Sequence, residues 1–276
     1  MSRSAFYAWQ RQKAQDRSAA DGAACHVREV FWRHSRRYGS RRIHAELLAA
    51  DMQIGRHKVR RLMREQGLRA IQPRSFVPRM TDSRHGQRMS PNLLLDKKPP
   101  TKPNEVVVGD ITYLPLQAGA WAYLATWLDL YSRMIVGFDV AETMKESLIL
   151  KATAQLITRR GPAPGLIVHS DRGGQYVGRE FRLLLKSHGF RQSMSRADDT
   201  YDNAFAESLF SRYKAELLED GAFADIEEAR LETFNYIEGY YNPIRRHSAL
   251  GYQSPADFEK RYYLDLQKSS KSPKKE

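Results

Sequence analysis

The order of strands and helices in the middle of the chain constrains the fold most. Apolar and β-branched runs predict strands over residues 106–114, 121–130, 134–140, 166–169 and 190–194. Amphipathic spacing predicts helices over residues 146–159, 179–188 and 201–218. Three successive strands followed by helix–strand alternation are typical of a mixed sheet with helices on its faces. We therefore predict an α/β fold built on a mixed five-stranded sheet with flanking helices.

Composition divides the chain into four parts. Residues 1–72 are predicted to be helical, and residues 73–103, rich in proline, to form a linker. Residues 104–264 contain the predicted sheet, its helices and a helix–turn–short-helix segment. Residues 265–276 form a basic tail that we expect to be disordered.

The positive charge of the chain is concentrated at one end. Residues 1–100 contain 22 Lys+Arg and 8 Asp+Glu, a net of +14, and the remainder contains 23 and 24, a net of −1. A localised basic surface is typical of proteins that bind phosphate backbones. The alternative is a soluble protein that is simply basic. The chain has one cysteine, which excludes a disulfide framework. No apolar run is long enough to span a membrane. We therefore expect a cytoplasmic protein.

The first part contains a candidate helix-turn-helix. Ser40 is predicted to cap a helix over residues 41–48, and a turn at 52–55 leads to a second helix over residues 56–66, ended by Gly67. The predicted buried residues are Ile43, Leu47, Leu48, Val59, Leu62 and Met63.

The outer face of the second helix is basic. Its exposed positions are predicted to be Arg56, Lys58, Arg60, Arg61 and Arg64. A recognition helix in a DNA major groove has this character. The alternative is a plain helical hairpin with a solvated basic face.

Three acids stand at positions that suit metal binding. Asp110 lies within an apolar strand, Asp171 follows a buried strand, and Glu207 lies within a long helix. A buried carboxylate needs a partner, and hard oxygen ligands suit Mg²⁺ or Mn²⁺. Two such ions can support an in-line phosphoryl displacement. Each acid also has a structural alternative: it could accept hydrogen bonds within the fold or lie on a solvent-exposed helix face. Three other acids are rival candidates, Asp198, Asp199 and Asp202. Of these, Asp202 is interpreted as a helix cap.

Helical spacing places further polar residues beside Glu207. Asn203 and Lys214 lie at i−4 and i+7, hence on one helix face. Lys214 is a candidate for contact with a DNA phosphate.

Several short strings resemble one family. They are GDITY (109–113), LDLYSR (128–133), HSDRGGQY (169–176), YDNAFAES (201–208), YNPIRRHSALGY (241–252) and SPADF (254–258). The three acids are separated by 60 and 35 intervening residues, and a lysine stands seven places after the glutamate. The chain therefore resembles the DDE transposases of bacterial insertion sequences, OrfB type, and the related retroviral integrases.

This resemblance implies a fold and a chemistry. It implies an RNase H-like catalytic domain preceded by a small helix-turn-helix segment, with Asp110, Asp171 and Glu207 as ligands of two Mg²⁺ or Mn²⁺ ions. It implies cleavage at the element ends followed by 3′-hydroxyl strand transfer. It also implies double-stranded DNA as partner, both as terminal repeats and as target, a homo-oligomer on DNA, and an upstream-frame protein.

We predict a supporting role for three polar residues other than the three acids. His169 precedes Asp171 by two positions, and Arg245 and His247 lie in the C-terminal motif. A hydrogen-bonded polar corner that orders the helix beside Glu207 is favoured for the C-terminal pair over a metal site. Two other readings of the whole chain stay open: another RNase H-like nuclease, and a catalytically silent DNA-binding regulator.

Overall fold

The protein consists of two compact units, Met1–Gln72 and Pro73–Glu276. The structure is a computed structural model, and the residues it describes are 22–73, 89–95, 97–196, 204–219 and 221–271.

Three helices form the part of the first unit that the structure describes, residues 22–72. They are α1, described over residues 22–33, α2 (Ser40–Ala49) and α3 (Arg56–Glu65). Apolar side chains from all three are buried, among them Val27, Phe31, Ile43, Leu47, Val59, Leu62 and Met63. Gly67 has the left-handed backbone predicted for it, with φ +64°, which suits a residue without a Cβ.

Two details of this unit correct the prediction. Gly39 precedes α2 and no side chain caps the helix, so Ser40 lies inside the first turn rather than at the cap. Leu48 is 40% exposed. It lies about 100° around the helix from Leu47, outside the buried stripe that Ile43 and Leu47 form.

A five-stranded sheet organises the second unit. Its strands are β1 (Val106–Pro115), β2 (Trp121–Asp129), β3 (Ile135–Ala141), β4 (Ile167–Ser170) and β5 (Arg191–Met194). Their spatial order is β3-β2-β1-β4-β5. The β1–β2 and β2–β3 pairs are antiparallel, whereas β1–β4 and β4–β5 are parallel. The predicted mixed sheet is confirmed, with strand ends within a residue or two.

Helices cover both faces of this sheet. The helices are α4 (Glu146–Arg160), α5 (Arg179–Ser187), α6 (Ala204–Leu218) and α7 (Ile226–Phe234). Buried residues of α4 and α5 form one core with the sheet, and buried residues of α6 and α7 form the other. The sheet is therefore the middle layer of three, with strand ends open at its edges for a site.

Residues 89–94 lie along the edge strand β5. Pro91 O accepts from Met194 N at 3.3 Å, and Leu93 N donates to Ser193 Oγ at 2.9 Å. This part of the predicted linker is thus packed against the sheet. An exposed edge strand invites pairing with other chains, and this segment covers it.

The C-terminal region closes the other edge of the sheet. After α7 a π-helical segment (Asn235–Tyr241) leads to Asn242, whose side chain accepts from Ile135 N and donates to Ile135 O, both at 2.9 Å. These bonds satisfy strand β3 next to the register shift between β2 and β3.

The last helix is longer than predicted. Helix α8 (Pro255–Lys271) begins where the short helix was expected but continues into the predicted tail as far as Lys271. It docks through Phe258 and Tyr262, whose rings lie 5.2 and 5.4 Å from that of Tyr131. Residues 263–270 are all exposed. The helix continues because neither glycine nor proline interrupts residues 256–271. Across the described ranges no helix is long and apolar enough to cross a membrane.

Candidate active site

Strand register brings Asp110 and Asp171 together. On the parallel pair β1–β4, Val108 lies opposite His169. Asp110 and Asp171 each follow two residues later, so they continue on neighbouring chain segments with the same side-chain parity. Neighbouring strands lie about 4.8 Å apart, and this register sets Asp110, in the middle of β1, beside the segment that follows β4 and carries Asp171.

The electrostatics of Asp110 reflect this proximity. Burial raises the pKa of the Asp110 carboxyl well above its ordinary value, and the charges of Asp171 and Glu207 raise it further. The Ile111 amide, which donates to Oδ1 at 2.8 Å, and the Lys214 ammonium oppose the shift. Asp110 therefore lies in a concentration of negative charge that a cation would relieve.

Hydrogen bonds fix the segment that carries Asp171. Its Oδ1 accepts from Gly173 N at 3.0 Å. His169, fully buried, shares hydrogen bonds with Ser193 Oγ at 2.8 Å and Ser195 Oγ at 3.3 Å. Arg172 Nε donates to Ser195 O at 2.8 Å. These contacts between β4 and β5 surround the segment that leads to Asp171.

Sequence reasoning did not single out Tyr176. This residue is buried, and burial together with the charges of Asp110 and Asp171 raises the pKa of its hydroxyl well above the ordinary value. Its ring packs edge-on against Trp127 and Phe181, at 5.9 and 6.0 Å between centroids. Tyr176 therefore forms an aromatic wall beside the acids. Tyr176 is the last residue of the HSDRGGQY string (169–176), and this string was the sequence signal that could have identified it.

Glu207 approaches from α6 but does not complete a closed cluster. It lies in the first turn of the helix and is exposed, and partial burial raises its pKa. Within the ranges the structure describes, no three His, Cys, Asp or Glu side chains are grouped closely enough to hold a metal ion. Asp171 and Glu207 both raise the pKa of Asp110, and Asp171 has the larger effect.

Lys214 of α6 is half-buried near Asp110. Burial lowers its pKa, and the charge of Asp110 acts in the opposite direction. This places the ammonium group within electrostatic reach of Asp110. Asn203, the other residue predicted on this helix face, lies outside the described residues, as do Asp198, Asp199 and Asp202.

A buried ion pair anchors the last turn of α6. Glu216 of α6 accepts from Arg245 at 3.0 and 2.5 Å and from the Tyr236 hydroxyl at 2.8 Å. Arg245 is only 1% exposed. Burial acts to lower its pKa, but Tyr236 and Glu216 outweigh that effect and raise it. Arg245 is therefore bonded to the helix that carries Glu207 through Glu216, a partner that the sequence analysis did not single out.

His247 lies at the end of the same corner. Its ring is 5.0 Å from the Tyr241 ring in an edge-on arrangement, and its amide donates to Gln253 O at 3.0 Å. These contacts are with the C-terminal turn and leave the three acids untouched.

The basic face of α3 is exposed as a group. Val59, Leu62 and Met63 point into the core of the first unit, and the opposite side is cationic. The exposed cations are Arg56, Lys58, Arg60, Arg61 and Arg64.

The chain matches two kinds of protein family. Residues 100–199 match the family described as an integrase core domain, and residues 188–255 match a second family of that description. Residues 19–76 match an HTH-like domain. The matches therefore divide the chain into an HTH-like domain followed by an integrase core domain.

Curated relatives cover nearly the whole chain. It is 38% identical over 264 residues to the insertion element IS600 31 kDa protein of Shigella sonnei, covering 95% of this chain and 96% of the relative. It is 40% identical to the transposase of IS904 from Lactococcus lactis, covering 85% and 92%. The transposase InsF of IS3A from Escherichia coli is 38% identical, covering 94% and 90%. The chain belongs to the insertion-sequence transposases.

Solved structures share a more distant likeness. A simian T-cell lymphotropic virus intasome superposes with a TM-score of 0.46 at 14% identity, covering 87% of this chain and 73% of that chain. The HTLV-2 integrase catalytic core in complex with magnesium gives 0.41 at 16% identity, covering 58% and 97%.

Proposed function

We propose that this transposase cuts DNA at the ends of its element and joins the freed 3′-hydroxyl to a target strand, with Asp110, Asp171 and Glu207 as the catalytic acids. The observation that supports this most is the parallel register of β1 and β4, which sets Val108 opposite His169, two residues before each aspartate; the charge of Asp171 also raises the pKa of Asp110.

The donor set fits a hard divalent cation. Asp110 and Asp171 present carboxylate oxygens from a rigid sheet, and such oxygens are the ligands that Mg²⁺ or Mn²⁺ prefer. Two bound ions would supply activation of the attacking oxygen and stabilisation of the leaving oxygen. Because Glu207 lies in the first turn of α6, a small movement of that turn toward the sheet would bring a third carboxylate to the site.

Other residues position these acids or the DNA. The His169 bonds to Ser193 and Ser195 hold the segment before Asp171 in place, and the Glu216–Arg245 pair anchors α6. Lys214, half-buried and close to Asp110, would contact a phosphate next to the scissile bond as a point charge.

The first unit would hold the element end. The exposed cations of α3 suit the phosphates that border a major groove. In this proposal the partners are double-stranded DNA, as terminal repeat and as target, other copies of the chain on that DNA, and the product of an upstream frame.

The test uses purified full-length chain and oligonucleotides that carry the repeats flanking its gene. With Mn²⁺ we expect cleaved and joined strands from the wild type, and neither product from Asp110→Asn, Asp171→Asn or Glu207→Gln. Glu227→Gln, which removes an exposed acid of α7, should behave as the wild type. Joined product separates a transferase from a simple nuclease.

A second readout is independent of turnover. Mn²⁺ titration by calorimetry in the presence of element-end DNA should show binding to the wild type and much weaker binding to Asp171→Asn. Equal product and equal metal binding by wild type and Asp171→Asn would remove these residues from the catalytic centre.

A further inference from the structure

We propose that one flank of α5 is a second DNA-binding surface of the chain, one that grips the phosphate backbone of duplex DNA irrespective of its sequence. The surface consists of Arg179, Arg182 and Lys186, termed here the α5 stripe. Its role rests on the proposed function, since it assumes that DNA enters the site beside Asp171.

Helical geometry makes these three cations a continuous line. They stand at i, i+3 and i+7 of α5, and residues with this spacing share one flank. Arg179 and Lys186 are exposed and Arg182 is half-buried. Phe181 and Leu185 bury the neighbouring side of the helix, and Leu185 lies about 60° around the axis from the half-buried Arg182. Glu180 lies on the other flank, about 100° around the helix from Arg179.

A shallow groove accompanies the stripe. The groove has a volume of about 270 Å³ and lies between α5 and the start of β5. Arg182 and Lys186 line it together with Leu185, Phe190 and Gln192. It thus combines cations with an apolar floor, which suits the alternating phosphates and sugars of a DNA strand.

The stripe begins close to the acids. Tyr176, whose hydroxyl is affected by the charges of Asp110 and Asp171, packs on Phe181 of α5 at 6.0 Å between ring centroids. One aromatic layer therefore separates the start of α5 from the candidate active site. A duplex held at the acids would pass near this flank.

The length of the stripe matches a short run of phosphates. Seven residues at about 1.5 Å each give about 10 Å, and phosphates of one strand rise about 3.4 Å per step along the DNA axis. Three cations thus face about three phosphates. A duplex is favoured over an acidic peptide because the neighbouring site belongs to a transposase, whose substrate is DNA.

Salt dependence of binding gives a quantitative test. Each neutralised phosphate contributes about 0.9 to the slope of log K against log salt for duplex DNA. The variant Arg179→Gln/Arg182→Gln/Lys186→Gln in the full-length chain should lower the magnitude of this slope by about 2.7. The ratio of wild-type affinity to variant affinity should therefore fall by about 40-fold as the salt concentration rises from 50 to 200 mM. The measurement is fluorescence anisotropy with a labelled duplex that lacks the element ends.

Two further variants make the result decisive. Arg179→Gln/Lys186→Gln changes only exposed residues and should lower the slope by about 1.8. The matched control Lys260→Gln/Arg261→Gln/Lys268→Gln removes three exposed cations from α8 and should lower it by less than about 1. An unchanged slope in both α5 variants, or an equal loss in the α8 control, would overturn the proposal.

The same preparations separate this proposal from the previous one. Element-end cleavage with Mn²⁺ is measured on the wild type and the α8 control alone. If neither protein cleaves, the proposed function fails, while the slope comparison still decides whether the α5 stripe binds DNA.

Discussion

Removing Arg245 should destabilise the catalytic unit severely. Its guanidinium and the Glu216 carboxylate are 1% and 8% exposed and share two hydrogen bonds. In Arg245→Met the carboxylate stays buried and keeps the hydrogen bond from the Tyr236 hydroxyl but loses both bonds from the guanidinium. Loss of one partner of such a pair costs about 3–5 kcal/mol. At about 2–4 °C per kcal/mol for a unit of this size, Tm should fall by about 6–20 °C.

The assay is thermal and urea unfolding followed by circular dichroism. Arg245→Met/Glu216→Leu should recover most of the loss, because removing both buried charges leaves neither one uncompensated. Arg261→Met, which breaks an exposed pair with Asp265, should cost less than about 1 kcal/mol. The reasoning is refuted if Arg245→Met costs no more than Arg261→Met, or if the double variant is as unstable as the single one.

Three further perturbations follow from the fold and the site. Gly109→Ala should cost at least about 1–3 kcal/mol in urea unfolding, because its Cβ would overlap the Trp127 ring; wild-type stability would contradict this packing. Asn242→Ala should cost about 1–3 kcal/mol for each Ile135 backbone group left without its side-chain partner, and faster amide exchange at Ile135 is the specific readout. Asp110→Asn should abolish strand transfer yet raise Tm at neutral pH. The pKa of Asp110 is raised in the folded protein, so the native state binds this proton more tightly than the unfolded state does. The wild type therefore loses stability as the pH rises from the ordinary aspartate pKa to the raised pKa of the folded protein. The advantage of the variant should therefore shrink in acid, and a Tm gain that is the same below that window would contradict the assignment.

The sheet was predictable because its strands carry local signals. Val106–Pro115 and Ile167–Ser170 are apolar runs bounded by polar or turn residues, and the order of elements restricts how they can pair. The same logic placed Asp110 and Asp171 at strand positions that a parallel register then brings together. Local pattern was therefore sufficient wherever the sheet itself positions the residue.

Partners distant in sequence were not predictable in this way. Glu216 reads as an ordinary helical acid until Arg245 reaches it from 29 residues away, and Asn242 bonds to Ile135 across 107 residues. Nothing in a single sequence specifies such pairs. Ser40 had the right chemistry for a helix cap, but α2 begins one residue earlier, at a position where helix ends are decided by the surrounding packing.

The strip of chain over β5 sets a practical limit on dissecting this protein. A fragment started at the first strand would lack Pro91 and Leu93 and would present the backbone of β5 bare to solvent. Such fragments should pair with one another through the exposed backbone of β5 and precipitate. A well-behaved catalytic fragment should therefore start upstream of Met89 and retain the whole strip.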